Sequence, residues 1–334
     1  MQSVAHIGWS NQSSIMEFIL LGFGNISEMQ VPLFLMFLLV YLVTVSGNIL
    51  IVTLVVVDQH LHTPMYFFLG NLSCLETCYS STILPRLLTS LLSGDRTISI
   101  RDCFSQFYCF GVLGATECFL LAVMSYDRYL AICNPLRYAV IMNGRVCTQL
   151  AAYSWTAGLL STTIVIILMS KLQFCTSNEI DHFFCDFSPI VKLSCNDTGL
   201  LELVIFTQSS IASLIPFLLT LTSYASIIST ILRIPSTTGR QKAFSTCSSH
   251  LVIVTTFYGT LFLVYVVPKT YLSKSLRKVF SVFYTVLTPM LNPLIYSLRN
   301  KEVKEALRRA LSKIYGFTRF PFITFNEMDI NQPL

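Results

Sequence analysis

Seven long apolar runs, separated by short polar stretches, recur along the chain. Val31–Val57 carries no charge, and Pro64–Leu92 carries only Glu76 and, near one end, Arg86. Cys103–Tyr126 carries only Glu117, Val146–Ser170 and Leu203–Leu232 carry none, and Ala243–Val267 carries only His250. Leu276–Leu298 begins with Arg277 and Lys278 and is then uncharged. A helix of about 20 mostly apolar residues crosses the roughly 30 Å hydrocarbon core of a bilayer, so each run predicts one spanning helix. No segment alternates apolar and polar residues over about ten positions, which disfavours a membrane β-barrel. The predicted fold is an all-α membrane protein, a seven-transmembrane helix bundle. After it, Lys301–Ile314 predicts an amphipathic helix: Val303, Ala306, Leu307, Ala310, Leu311 and Ile314 share a face opposite Lys and Arg. Such a helix suits the lipid surface. The predicted layout is residues 1–30 outside, 31–300 in the bundle, and 301–334 as a cytoplasmic helix and tail, with Gly316–Leu334 unassigned.

Composition sharpens this picture. Hydrophobic residues make up 53% and charged residues 12%, about half the usual charged share of a soluble domain. Water cannot be the solvent for that much apolar surface. Seven spans put the termini on opposite sides, and basic residues mark the inner one. Thirteen lie on the flanks that share a side with the carboxyl terminus, from Arg128 to Arg319, against nine on the other. The carboxyl terminus is therefore expected inside. Asn11-Gln12-Ser13 and Asn25-Ile26-Ser27 are glycosylation sequons in the segment placed outside, so Asn11 and Asn25 are expected to carry glycans. The amino terminus lacks a basic region and short apolar core, so no cleaved signal peptide is expected and the first span directs insertion.

Of eleven cysteines, seven fall within spans or at their inner ends, where a cysteine behaves as a small apolar residue. Cys103, Cys175, Cys185 and Cys195 fall on the outer side, where the oxidising route favours disulfides. Four cysteines allow three pairings, and spacing does not choose among them. Other function classes find little support. No internal repeat points to a transporter. Glu76, Glu117 and His250 are too few to line a channel, and no zinc-ligand motif, phosphate loop or nucleophile elbow points to an enzyme. Nothing suggests a nucleic-acid partner.

Five motifs carry a specific resemblance. Pro64-Met65-Tyr66-Phe67-Phe68-Leu69-Gly70-Asn71-Leu72-Ser73 opens the second span, and Met124-Ser125-Tyr126-Asp127-Arg128-Tyr129-Leu130-Ala131-Ile132-Cys133 closes the third. Ser223-Tyr224 lies in the fifth. Lys242-Ala243-Phe244-Ser245-Thr246-Cys247-Ser248-Ser249-His250-Leu251 opens the sixth, and Pro289-Met290-Leu291-Asn292-Pro293-Leu294-Ile295-Tyr296-Ser297-Leu298-Arg299-Asn300 closes the seventh. In this order the set resembles the vertebrate odorant receptors of the rhodopsin-like, G-protein-coupled class. Phe257-Tyr258-Gly259 shares the odorant receptors' departure from the tryptophan and proline of the wider class. The interior of the seventh span holds no lysine, which excludes retinal attachment.

The resemblance assigns roles beside the plainer readings of the same residues. Arg128, by itself a snorkelling arginine at a membrane edge, is implied to pair with Asp127 at rest, within a motif completed by Tyr129, and to meet a G protein when active. Tyr224 and Tyr296, otherwise interfacial anchors, are implied to rearrange with it, and His250 to serve the same conformational change. Glu76 and Glu117 read plainly as protonated acids hydrogen-bonded to neighbours, although acids within spans are functional candidates by default. The resemblance implies a sodium ion at these two acids with Asn48, Asn292 and Ser297 nearby, and otherwise no cofactor. It also pairs Cys103 with Cys185, leaving Cys175 to Cys195.

Phe110, Gly111, Gly114 and Ala115 on one face of the third span match the family's pocket positions. So do Gln208 and Ala212 in the fifth, Tyr258, Leu261 and Tyr265 in the sixth, and Thr285 in the seventh. Small residues there leave room, or simply let helices approach; Tyr, Gln and Thr offer hydrogen bonds, and no acid is present to hold an amine. The implied ligand is a small, volatile, mostly uncharged odorant. The implied partners are the stimulatory olfactory G protein, which raises cyclic AMP, and a trafficking accessory protein. The implied location is the plasma membrane of sensory cilia.

Overall fold

The computed structural model describes residues 16–24, 27–175, 177–263 and 274–315; within these, side chains are described except at 242, 243, 245, 246, 249, 274, 275, 277, 296–299 and 313–315. Long helices occupy all seven predicted runs. They are α1 (Gln30–Val57), α2 (Pro64–Ser93), α3 (Ile100–Cys133), α5 (Gly144–Met169), α7 (Gly199–Leu232), α8 (Thr237–Leu261) and α9 (Lys274–Val282). The last continues through a π turn, Phe283–Leu287, into α10 (Thr288–Arg299). Three short helices join or follow them: α4 (Pro135–Ile141), α6 (Phe187–Val191) and the amphipathic α11 (Lys301–Tyr315).

Local chemistry sets the ends. Ser99, Asn143 and Ser236 cap α3, α5 and α8 by accepting the amides of Asp102, Val146 and Gly239, which satisfies donors the first turn leaves free. Gly94 ends α2 at φ 73°, a left-handed conformation that glycine adopts without a Cβ clash. The third helix runs seven residues past its apolar stretch because Asp127-Arg128 turns inward and lets the helix continue to Cys133.

Bilayer logic governs the packing. Leu35, Leu39 and Leu42 of α1, Leu160, Ile164 and Ile167 of α5, and Leu214, Ile215 and Leu219 of α7 face outward. Thr44, Asn48, Ser73, Glu76, Ser80, Thr116, Glu117, Ser125 and Asn292 are fully buried. Among the described residues five helices are long and apolar enough to cross a membrane; α2, though long, is not among them. Its inward polar row, Ser73, Glu76 and Ser80, lowers the average without meeting lipid. Glycines bring helices close: a Cβ on Gly158 of α5 would stand 2.3 Å from Thr116 Oγ1 and 2.7 Å from the Val112 carbonyl oxygen of α3.

A small sheet covers the outer end. Strand β1 (Glu17–Leu20) lies between β2 (Thr97–Ser99) and β3 (Glu179–Ile180), antiparallel to the first and parallel to the second. The apolar run did not predict this strand. Phe18 and Leu20 point inward beside Ile98 and Ile180, and disulfides join Cys103 to Cys185 and Cys175 to Cys195. Lys278 of α9 ties the lid down, donating to the Gly22 carbonyl at 2.8 Å and to Asp181 at 2.5 Å. Beneath that bond His182 is buried with Nδ1 unpartnered, its ring edge-on to Phe184 at 4.5 Å. Burial, with the Lys278 charge, holds its pKa down at about 3 against an ordinary 6.5, while Asp181 pulls the other way.

Two predictions follow from these contacts. Gly158→Ala overpacks the α3–α5 seam and should cost about 1–3 kcal/mol, read as a lower Tm of the reconstituted chain; Gly144→Ala, with nothing within 4 Å, is the control, and equal melting of both variants refutes the account. For His182, an opened lid takes up a proton that the closed lid refuses, so lid stability is complete above about pH 6.5 and declines toward pH 3. Hydrogen-exchange protection factors over residues 179–186 should therefore fall between pH 7 and pH 5, and His182→Phe should remove the dependence.

Candidate functional site

Directly under the lid, Phe110 of α3 meets three aromatic rings: Phe184 of the lid at 5.0 Å, Tyr79 of α2 at 5.2 Å and Tyr284 at 6.1 Å. The Cys185 amide donates to Gln106 Oε1 at 3.0 Å, and Gln106 in turn donates to the Thr82 carbonyl at 3.1 Å. The disulfide and this relay hold Phe184 over the bundle. One turn below Phe110, a Cβ on Gly114 would meet only Tyr79, at 4.0 Å, so its missing side chain leaves open volume.

Gly111 sits elsewhere. A Cβ there would come within 2.8 Å of the Thr162 methyl group of α5, so its small size serves helix packing. Ala115, Ala212 and Leu261 are half-buried. Gln208 turns Oε1 into the protein with no hydrogen-bond partner. Tyr258 donates its hydroxyl across to the Cys118 carbonyl of α3 at 3.2 Å and packs its ring 5.2 Å from Phe217. Thr285 donates to the Ser281 carbonyl at 2.7 Å within its own helix, which commits that hydroxyl. Tyr265 lies outside the described residues.

Deeper in the bundle, four helices converge on a polar centre. Asn292 of α10 donates to Glu76 of α2, whose carboxyl meets that of Glu117 across the α2–α3 seam. Asn48 of α1 donates to the Thr44 and Pro289 carbonyls at 3.0 and 3.1 Å. Five oxygens here are buried without a well-aligned hydrogen-bond partner: Asn48 Oδ1, Ser73 Oγ, Glu76 Oε2, Glu117 Oε1 and Asn292 Oδ1. Ser73, three residues before Glu76 and so on the same helix face, is the member that sequence reasoning missed. The side chain of Ser297 lies outside the described ones.

At the inner end, Asp127 accepts from Arg128 through Oδ2 and from Tyr138 of α4 through Oδ1, the latter at 2.8 Å. Tyr138 was not predicted; it follows Asn134-Pro135, where the chain turns back under α3. Burial and the Asp127 charge raise the Tyr138 pKa, which keeps it a donor. Tyr224 of α7 and His250 Nδ1 of α8 share a hydrogen bond of 2.6 Å, and Tyr129 packs against the same cluster. The Tyr296 side chain lies outside the described ones, and so do residues Asn11 and Asn25.

Comparisons with known proteins identify the family. The family model described as olfactory receptor matches residues 37–314. The human olfactory receptor 11L1 is 50% identical over 92% of this chain and 95% of its own length. The mouse olfactory receptor 8U3 is 49% identical over 91% of this chain and 96% of its own. Among solved structures, squid rhodopsin superposes with a TM-score of 0.64 over 88% of each chain at 16% identity, a likeness of fold. A family match over most of the chain, and relatives sharing about half its residues end to end, show that the chain belongs to the olfactory receptor family, a seven-helix membrane receptor that signals and is not an enzyme.

Proposed function

We propose that this receptor binds small, mostly uncharged volatile molecules beneath the lid and activates a stimulatory, olfactory-type G protein that raises cyclic AMP. The observation that carries the reading is the placement of both ends on one rigid element. Phe110 and Gly114 under the lid and the Asp127–Arg128 pair at the inner end belong to the same unbroken α3, about 25 Å apart at 1.5 Å per residue. Phe110, Tyr258 and Gln208 give the site aromatic walls and an unpaired amide oxygen. No carboxylate stands among the proposed pocket residues, which favours neutral ligands over amines.

Binding shifts a population only by its difference in affinity for two states. In the state described here the Tyr224–His250 bond holds α7 to α8 at the inner end. An odorant that prefers a state with the inner end of α8 displaced opens a cleft in which Arg128 can leave Asp127 and contact the G protein. This orientation places the amino terminus outside, with glycans at Asn11 and Asn25, and α11 and the tail inside. The three-part division at residues 30 and 300 follows from it, and an accessory protein assists delivery to the ciliary membrane.

The polar centre fits a sodium ion. Its unpartnered atoms are all oxygens, the donors a hard cation takes, and two acids share one buried space. Asn48, Ser73, Glu76, Glu117 and Asn292 would hold the ion, which supplies the positive charge that lets such acids sit side by side in an apolar bundle.

Cells carrying the chain and a stimulatory olfactory-type G protein, given a broad panel of volatiles, should raise cyclic AMP in a dose-dependent way. Arg128→Ala should abolish the rise at equal surface staining; silence of well-expressed receptor across the panel, or a full response from the variant, defeats the reading. Replacing external sodium by a large organic cation should shift odorant potency about fivefold or more. Glu76→Gln and Glu117→Gln should remove that shift, and a variant that keeps it excludes these acids as the sodium site.

A further inference from the structure

The inner ends of α3 and α7 enclose a second feature that the signalling reading does not use. Tyr129, Cys133 and Asn134 on one side and Ala225, Ser226, Ser229 and Thr230 on the other line a shallow, open cleft of about 480 Å³. It is not the G-protein side of the bundle. Tyr224, Ile227 and Ile231 form the buried stripe of α7, clustered with Cys247 of α8. At 3.6 residues per turn, Ala225, Ser226 and Ser229 lie on the opposite side of the same helix. The cleft therefore opens outward, to the membrane.

Its depth places it at the headgroups. The two helices have 34 residues each, about 51 Å at 1.5 Å per residue, against roughly 30 Å of hydrocarbon. The cleft spans their last two turns, beside the caps Asn134 and Arg233. Helical Ser and Thr elsewhere mostly return their hydroxyl to the carbonyl four residues back, as in Thr44, Ser80, Thr116, Ser125 and Thr222. Ser226 and Ser229 make no such bond and remain available to a ligand.

Charge completes the site. Arg233 continues the Ser226–Ser229 stripe, four residues on, and Arg137 stands one turn into α4 from Asn134, its amide bonded to the Asn134 carbonyl at 3.1 Å. Both are exposed, and neither pairs with a carboxylate among the described residues. No acid lines the cleft. Neither arginine lines the cleft itself, but each follows its lining within one turn. A long guanidinium side chain reaching back to the hydroxyl and amide groups would suit a phosphate, which guanidinium binds through paired N–H groups. The inner leaflet supplies that chemistry as anionic lipid.

We propose that the cleft between the inner ends of α3 and α7 is a binding site for the phosphorylated headgroup of an inner-leaflet lipid, held by Arg137, Arg233, Ser226, Ser229 and Asn134. A lipid seated there bridges α3, α4 and α7 on the face away from α8, bracing these elements while α8 moves. Occupancy does not depend on which odorant or G protein the receptor takes.

Native mass spectrometry of the full-length receptor, released from phosphatidylcholine nanodiscs doped with phosphatidylinositol 4-phosphate, tests this. The wild type should retain the phosphoinositide over phosphatidylcholine. Arg137→Gln with Arg233→Gln should lower retention about tenfold, and Ser226→Val with Ser229→Val, which keeps both charges, about threefold. Arg308→Gln, on α11 beside α1 and far from the cleft, should change nothing. Unchanged retention in the arginine pair, full retention in the serine pair, or an equal loss with Arg308→Gln overturns the site. As a second readout, a diazirine-bearing phosphoinositide in intact membranes should label the peptide containing Ser226–Arg233; labelling confined to other segments overturns it as well.

Discussion

Hydrocarbon offers no hydrogen bonds, and most of this structure is a response to that fact. Each polar group at bilayer depth must find its partner within the protein. Serines and threonines return their hydroxyls to their own helices, and Thr44, Thr116 and Ser125 show how that neutralises a buried side chain. The acids have no such local solution. Glu76 and Glu117 are directed to the bundle centre, where Asn292 reaches them and Asn48 stands on the neighbouring helix. Four helices are thereby committed to one polar centre, between the lid and the Asp127–Arg128 pair.

The two ends of the bundle are held by interactions of different strength. Outside, two disulfides, a three-stranded sheet and the Lys278–Asp181 bond fix the lid. Each disulfide is worth about 2–4 kcal/mol. Inside, the contact between α7 and α8 rests on Tyr224–His250 and a small apolar cluster, and a net hydrogen bond contributes only about 1 kcal/mol. Such an asymmetry suits the proposed mechanism, in which the inner face rearranges. The outer end can stay in place while a modest difference in ligand affinity moves the inner one.

The sixth span shows how the family solves a problem in its own way. Lacking the tryptophan and proline of the wider class, α8 is tied to α3 by Tyr258, whose hydroxyl reaches the Cys118 carbonyl one residue beyond Glu117. The same tyrosine is among the residues proposed to meet the odorant. The α3–α8 tie and the polar centre are therefore neighbours in the bundle.

The amino-acid sequence by itself determined the spanning helices and the family, because a bilayer demands long uncharged runs and because the five motifs are contiguous in the chain. It also marked Asp127, Arg128, Glu76, Glu117 and the four outer cysteines, since charge or thiol in such places is visible residue by residue. What the tertiary structure alone decided are contacts between residues far apart in the chain. No local pattern announces that Glu17–Leu20 pairs with strands about 80 and 160 residues away, that Tyr138 turns back to Asp127, or that Lys278 reaches Asp181. Gly111 and Gly114 look alike in the sequence, but helix rotation sends one into the α5 seam and the other toward open space. Ser226 and Ser229 read as ordinary membrane-edge residues until the packing of α3 on α7 brings Tyr129, Cys133 and Asn134 alongside them. Hydropathy and motif are properties of a segment; a site is a property of segments that have packed.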